Sequence, residues 1–307
     1  MNPDLSRVPK DLFSNPFRAF VAKERWNSGF HDPETNSWLE FSFDRSPRAD
    51  GFRLSFLQPS ARRTQYVRWD GRFGRPEVDD QLRLEAVRPG FCARHQRHDE
   101  GLSRFELSTQ GWEIDLEIRS TRIPFRTGDR QFEASYDLHQ RSGLLATGTI
   151  SSPEGNLDLV HAPGYSEHSW GVLPRRTRNH RVVLQNDRFC LHASVDAGPF
   201  ANRCVGALHL DGDEHRWMLL DPQVRFRNSP GYEWDTPWRL ESSEMELNME
   251  ILQVATHREG VPPFAPVLER SSKSTALVRA VGSVRIDGIW HKTGEMHGIL
   301  EEHSSRW

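Results

Sequence analysis

Residues 112–118 read WEIDLEI, with Trp112, Ile114, Leu116 and Ile118 alternating with Glu113, Asp115 and Glu117. Successive side chains of an extended chain point to opposite faces. The pattern therefore predicts an antiparallel strand with one face buried and one in water. The same period recurs in Phe52/Leu54/Phe56, Leu82/Leu84/Ala86, Phe132/Ala134/Tyr136 and Phe189/Leu191/Ala193/Val195. It returns in Met245/Leu247/Met249/Ile251 and in Val278/Ala280 with Val284/Ile286. Turn-forming stretches separate these runs: DPETN at 32–36, WDGRFG at 69–74, SPEGN at 152–156, LDGDE at 210–214 and NSPGY at 228–232. No long segment repeats apolar residues at three and four, so helices are expected to be few and short, with one placed around Pro9 to Phe20.

Many strands joined by short turns must bury one face and avoid open edges, which sandwiches and closed barrels both achieve. Ten Trp and seventeen Phe residues favour barrels or half-barrels around an apolar cavity. The small, polar, turn-rich stretch at 145–165 is read as a domain junction, giving an N-terminal β-domain over 1–150 and a C-terminal one over 151–307.

Composition narrows the function classes. No run approaches the roughly 20 apolar residues that span a bilayer, and the mean hydropathy is −0.69. The N-terminus, MNPDLSRVPKDLF, lacks the basic and apolar regions of a secretory signal. Three cysteines, Cys92, Cys190 and Cys204, are odd in number and form no CxxC pair, so a reducing cytoplasm is expected. Net charge is −3. The densest basic stretch, Ser60 to Arg75, is followed at once by Glu77, Asp79 and Asp80 and reads as a solvated strand face. No nucleic-acid partner is expected. The oligomeric state is left open.

The chemistry-bearing stretch is APGYSEHSWG at 162–171, which sets Tyr165, Glu167, His168 and Trp170 between Gly164 and Gly171. The glycines suggest an unusual backbone path. The stretch suits a packed corner, a metal site or an acid–base centre in an apolar pocket. In a regular strand Tyr165, Glu167 and Ser169 share one face, and Ser166, His168 and Trp170 the other. Only a bulge would bring Glu167 and His168 together. A carboxylic acid in an apolar cavity tends to stay protonated and can deliver a proton, while aromatic faces stabilise a developing cation. Such a kit protonates an alkene without metal or organic cofactor. In the corner reading, Glu167 and His168 instead bond to backbone.

Other chemistries lack their motifs. His161, Glu167 and His168, and His291, His297 and His303, show no HExxH or comparable spacing, so no metal is expected. There is no GxSxG, GxGxxG or P-loop, and GRFGRP at 71–76 reads as a turn. Neither a serine nucleophile nor a nucleotide or flavin cofactor is expected. Glu301 and Glu302 could supply a further acid, but adjacent carboxylates usually face solvent, and that is the reading taken.

GYSEHSWG, with ATGTI about fifteen residues before it and GEMHGILEEHSSRW closing the chain, resembles the two-domain lipocalin-like superfamily. That group includes carotenoid 1,2-hydratases, AttH-like proteins and lipocalin-like Diels–Alderases. The resemblance implies an all-β chain of two lipocalin-like antiparallel β-barrel (calyx) domains in tandem. Carotenoid hydratases carry a similar Tyr-His-Asp-His-Asn-Trp-Gly motif, in which the Asp is the proposed proton donor and the Trp a cation stabiliser. Carried over, these roles fall on Glu167 and Trp170, with Tyr165 and His168 matching the motif's Tyr and second His. Ser166 and Glu167 depart from it in place of His and Asp.

The resulting expectation is a cofactor-independent enzyme that hydrates or cyclises an apolar unsaturated small molecule, a terpenoid or polyene, by proton transfer in a β-barrel cavity. A pericyclase of this fold and a non-catalytic lipid or terpenoid carrier are the alternatives. The hydrophobic substrate is the expected partner, taken up through transient membrane contact.

Overall fold

A computed structural model describes residues 22–45, 50–59, 63–71, 83–99, 101–120, 125–131, 134–172, 176–186, 188–196, 203–210, 213–219, 225–227, 234, 238–259 and 270–306. Every regular element among them is a strand. The helix expected around Pro9 to Phe20 and the turn at 228–232 lie outside the described residues. No helix among the described residues is long and apolar enough to cross a membrane.

The first sheet contains β1 (Ala22–Asp32), β2 (Ser37–Arg45), β3 (Asp50–Gln58), β4 (Arg63–Gly71), β5 (Arg83–Arg88), β6 (Phe91–Arg97), β7 (Leu102–Thr109), β8 (Trp112–Ser120), β9 (Phe125–Gln131), β10 (Ala134–Ser152) and β11 (Gly155–Val172). Its order is β4-β3-β2-β1-β11-β10-β8-β7-β6-β5, with β9 on β10. β8 is the WEIDLEI strand, and Trp112, Ile114, Leu116 and Ile118 are buried as the alternation requires. The expected turn within DPETN closes the β1–β2 hairpin, with Asn36 at φ 54°.

The inward faces of these strands form one core. Phe41 of β2 stacks on Phe105 of β7 with ring centroids 3.7 Å apart. Trp69 of β4 stacks on Phe91 of β6 at 6.1 Å, and Phe52 of β3 meets Phe91 at 5.8 Å. Strands far apart in sheet order thus touch across the interior, so the sheet curls upon itself as a barrel does.

The second sheet contains β12 (Arg176–Gln185), β13 (Phe189–Asp196), β14 (Arg203–Leu210), β15 (Asp213–Leu219), β16 (Arg225–Arg227), β17 (Trp238–Ser242), β18 (Met245–Glu259), β19 (Arg270–Ile286), β20 (Ile289–Lys292) and β21 (Met296–Arg306). Its order is β15-β14-β13-β12-β21-β19-β18-β17-β16, with β20 on β19. Val182, Phe189, Trp238, Leu247, Val278 and Leu300 belong to its own core.

The chain divides into Met1–Phe56 with Thr64–Leu173, and Leu57–Arg63 with Pro174–Trp307. The change of sheet falls between Val172 and Arg176, which corrects the boundary expected at 150/151. The physical reason is that SPEGN is not a linker. It is the tight turn of a long hairpin, with Ser152 opposite Gly155, and its second arm carries the 162–171 motif back into the first sheet.

Glu301 also departs from expectation. It is buried, ion-paired to Arg181 Nε at 2.8 Å, and accepts a hydrogen bond from Thr275 Oγ1 at 3.4 Å. β21 is an interior strand, between β12 and β19, so alternation buries one of any two adjacent carboxylates.

Candidate active site

The motif lies on β11 between β1 and β10, and its backbone is regular. Against β1 the register runs unbroken from Phe30 opposite Gly164 to Ala22 opposite Val172. Against β10 the shifts fall between Ser142 and Leu144 and between Ala146 and Gly148, so none interrupts 165–171. The glycine at 164 serves space rather than an unusual path. A Cβ there would lie 2.1 Å from the Phe30 ring and 2.5 Å from the Gly29 carbonyl oxygen.

Alternation therefore divides the motif. Tyr165, Glu167 and Ser169 are buried on one face. Asn27 and Gly29 face them from β1, being in register with Glu167 and Tyr165. Glu40 of β2 is in register with Gly29, and Trp38 lies one pleat further along the same face.

A hydrogen-bond network joins three of these residues. Asn27 Nδ2 donates to Glu40 Oε1 at 2.7 Å and to the Tyr165 hydroxyl oxygen at 3.0 Å. The Tyr165 hydroxyl in turn donates to the same Glu40 oxygen at 3.4 Å. Asn27 thus fixes the phenol oxygen, and Glu40 accepts the hydrogen bond that the phenol donates. Trp38 stacks on Tyr165 with centroids 6.1 Å apart. Both rings lie over Gly29, where a Cβ would be 2.5 Å from Trp38 and 2.7 Å from Tyr165. Glycine is required because the two rings occupy its side-chain space. The field of Glu40 extends to Tyr66 on β4. Burial, and then the Glu40 charge, push the Tyr66 phenol up to about 12.

The opposite face carries a different group. His168 Nε2 lies 2.9 Å from Glu24 Oε1, and its ring stacks on Trp26 at 4.8 Å with an interplanar angle of 8°. Arg45 stands 3.9 Å from the other Glu24 oxygen. Trp26 belongs to the barrel core, so His168 lies on the inner face of the first sheet and Glu167 on its outer face, which corrects the expected placement of Glu167 in the barrel cavity, since alternation sends adjacent residues to opposite faces.

Of the four residues singled out in sequence, the structure brings Tyr165 and Glu167 onto one face and sends His168 to the other. The backbone of Trp170 pairs with Glu24 and Asp137, and its side chain lies outside the described residues. His161, the third member of the metal alternative, is exposed, with Nδ1 3.3 Å from Thr147 Oγ1. Among the described residues no group of three or more His, Cys, Asp or Glu is placed to hold a metal ion.

Asn27, Trp38 and Glu40 were not read from the sequence. One signal was available. In SWLEFSF at 37–43, Leu39, Phe41 and Phe43 mark the core face, yet Trp38 stands on the other. A large aromatic on the nominally polar face of a strand indicates that this face is covered too.

No family model matches the sequence, and no curated protein matches it. Solved structures do. The chain is similar to kievitone hydratase from Nectria haematococca, with a TM-score of 0.61 and 13% identity over 100% of this chain and 93% of that one. It is similar to a putative AttH from Nitrosomonas europaea, with a TM-score of 0.63 and 11% identity over 96% of each chain. It is also similar to CghA, solved with Sch210972, with a TM-score of 0.55 and 11% identity over 93% of this chain and 88% of that one. The chain shares the fold of these structures, with two lipocalin-like all-β domains.

Proposed function

We propose that this chain is a cofactor-independent enzyme that hydrates or cyclises an apolar unsaturated small molecule by proton transfer from Glu167. The observation carrying this reading is the buried face on which Glu167 stands opposite Asn27, beside the Glu40–Tyr165 hydrogen bond and the Trp38 ring. It combines an acid, an oriented phenol and two aromatic faces in one small area.

In the proposed step the Glu167 carboxyl gives its proton to one alkene carbon and becomes a carboxylate. The other carbon becomes cationic, and the faces of Trp38 and Tyr165 stabilise it. In hydration, water adds to the cation and loses one proton. In cyclisation, a second double bond attacks and the product loses a neighbouring proton. In both cases the released proton restores the carboxyl group, so the cycle balances without an external reagent. A hydratase among the structures of this fold supports the reaction class.

The test is turnover of a panel of linear terpenoids and polyenes by wild type and by Glu167→Gln. Conversion by the wild type and its loss in the folded variant support the reading. Tight binding without conversion would make the chain a carrier, and conversion retained by the variant would favour a pericyclic reaction.

A further inference from the structure

The face carrying Glu167 holds two polar atoms that its own network leaves open. Asn27 spends both amide hydrogens on Glu40 and Tyr165, while its Oδ1 is buried without a hydrogen-bond partner among the described residues. Trp38 is fully buried, and its Nε1 likewise has no partner. One atom only accepts and the other only donates. Both side chains stand on the Glu167 face: Asn27 lies one pleat from Gly29 on β1, and the Trp38 ring reaches over Gly29 against Tyr165.

A buried donor and a buried acceptor left unpaired are each costly, and a hydrocarbon ligand would leave both so. A hydroxyl group answers both at once, because it donates to one partner and accepts from another. We infer that the substrate is not a pure hydrocarbon but an unsaturated alcohol, phenol or enol. Its hydroxyl donates to Asn27 Oδ1 and accepts from Trp38 Nε1. The inference rests on the proposed site and specifies its substrate class. A site built to pair a hydroxyl rejects the analogue lacking it far more strongly than an apolar pocket discriminates by size.

The experiment is equilibrium binding, with no turnover required. The probes are farnesol, its methyl ether and the hydrocarbon lacking its oxygen, each titrated against wild type and Trp38→Phe. The variant keeps a ring and removes the donor. For the wild type the expected order is alcohol, ether, hydrocarbon, with about tenfold or more between the first and last. Trp38→Phe is expected to weaken alcohol and ether binding while leaving or improving that of the hydrocarbon, so the ratio shrinks. If the variant does not fold, the wild-type order alone decides. Equal affinity for alcohol and hydrocarbon in the wild type overturns the substrate class and leaves the proton-transfer reading standing. So does an alcohol-to-hydrocarbon ratio unchanged by Trp38→Phe. Failure of all three probes to bind overturns both.

Discussion

Glu167 and His168 are neighbours in sequence and stand on opposite faces of one sheet. Glu167 is in register with Asn27 beside the Glu40–Tyr165 hydrogen bond, whereas His168 lies 2.9 Å from Glu24 and stacks on Trp26. A motif that looks like one constellation thus supplies two environments. Their separation makes the roles of the two residues independently testable.

His168 is expected to act in stability. Its removal leaves the buried Glu24 carboxylate, among the described residues, with Arg45 at 3.9 Å, and strips the Trp26 ring of its stack on His168. His168→Ala should lower unfolding free energy by about 2–3 kcal/mol. Urea midpoints measure this, and Glu24→Gln in the same background should recover part of the loss. Turnover per folded molecule should stay within about threefold of wild type, because the residue does not share the Glu167 face.

Tyr165 is expected to matter for both stability and turnover. Tyr165→Phe removes one acceptor from Asn27 and one donor from Glu40. The loss should be about 1 kcal/mol in unfolding free energy, with a fall in turnover of about tenfold or more if the phenol orients substrate. Denaturant titration beside steady-state assays separates the two effects.

Two glycines test the packing directly. Gly29→Ala drives a methyl group against the rings of Trp38 and Tyr165, which can move only by breaking their stack. A destabilisation of about 1–3 kcal/mol is expected. Gly164→Ala is expected to be worse, since its Cβ meets the Gly29 backbone oxygen at 2.5 Å as well as Phe30. Thermal melts of both variants should rank in that order.

Acid should destabilise the first barrel through His95. Burial, followed by the charges of Arg97 and Arg141, lowers its pKa from 6.5 to about 3. The unfolded chain takes up this proton below about 6.5, and the folded chain only near about 3. Stability is therefore complete above the unfolded value and falls as pH drops through that window, by at most about 1.4 kcal/mol per pH unit from this group. Urea unfolding across the window should show a shallower slope for His95→Gln than for wild type.

Strand identity was legible because one-sided burial writes itself as alternation, as at Trp112 to Ile118. The split of Tyr165 and Glu167 from His168 was legible for the same reason. Which strands pair was not. Asn27 and Glu40 reach Tyr165 only because β1 crosses to β11, and nothing local at Asn27 encodes a partner at Glu167. The junction was misplaced because a hairpin turn and a linker share the same small, polar residues at Ser152 to Asn156. Glu301 was misread because local sequence does not reveal that β21 is an interior strand.

In the proposed reaction Glu167 delivers a proton to carbon. Incubation in D₂O with unsaturated terpenoid alcohols, followed by mass spectrometry of products, tests it most directly. Products from the wild type should carry one carbon-bound deuterium at the former alkene, and folded Glu167→Gln should form none. Products formed without carbon-bound deuterium, or deuterated products formed equally well by the variant, would rule out proton delivery by Glu167.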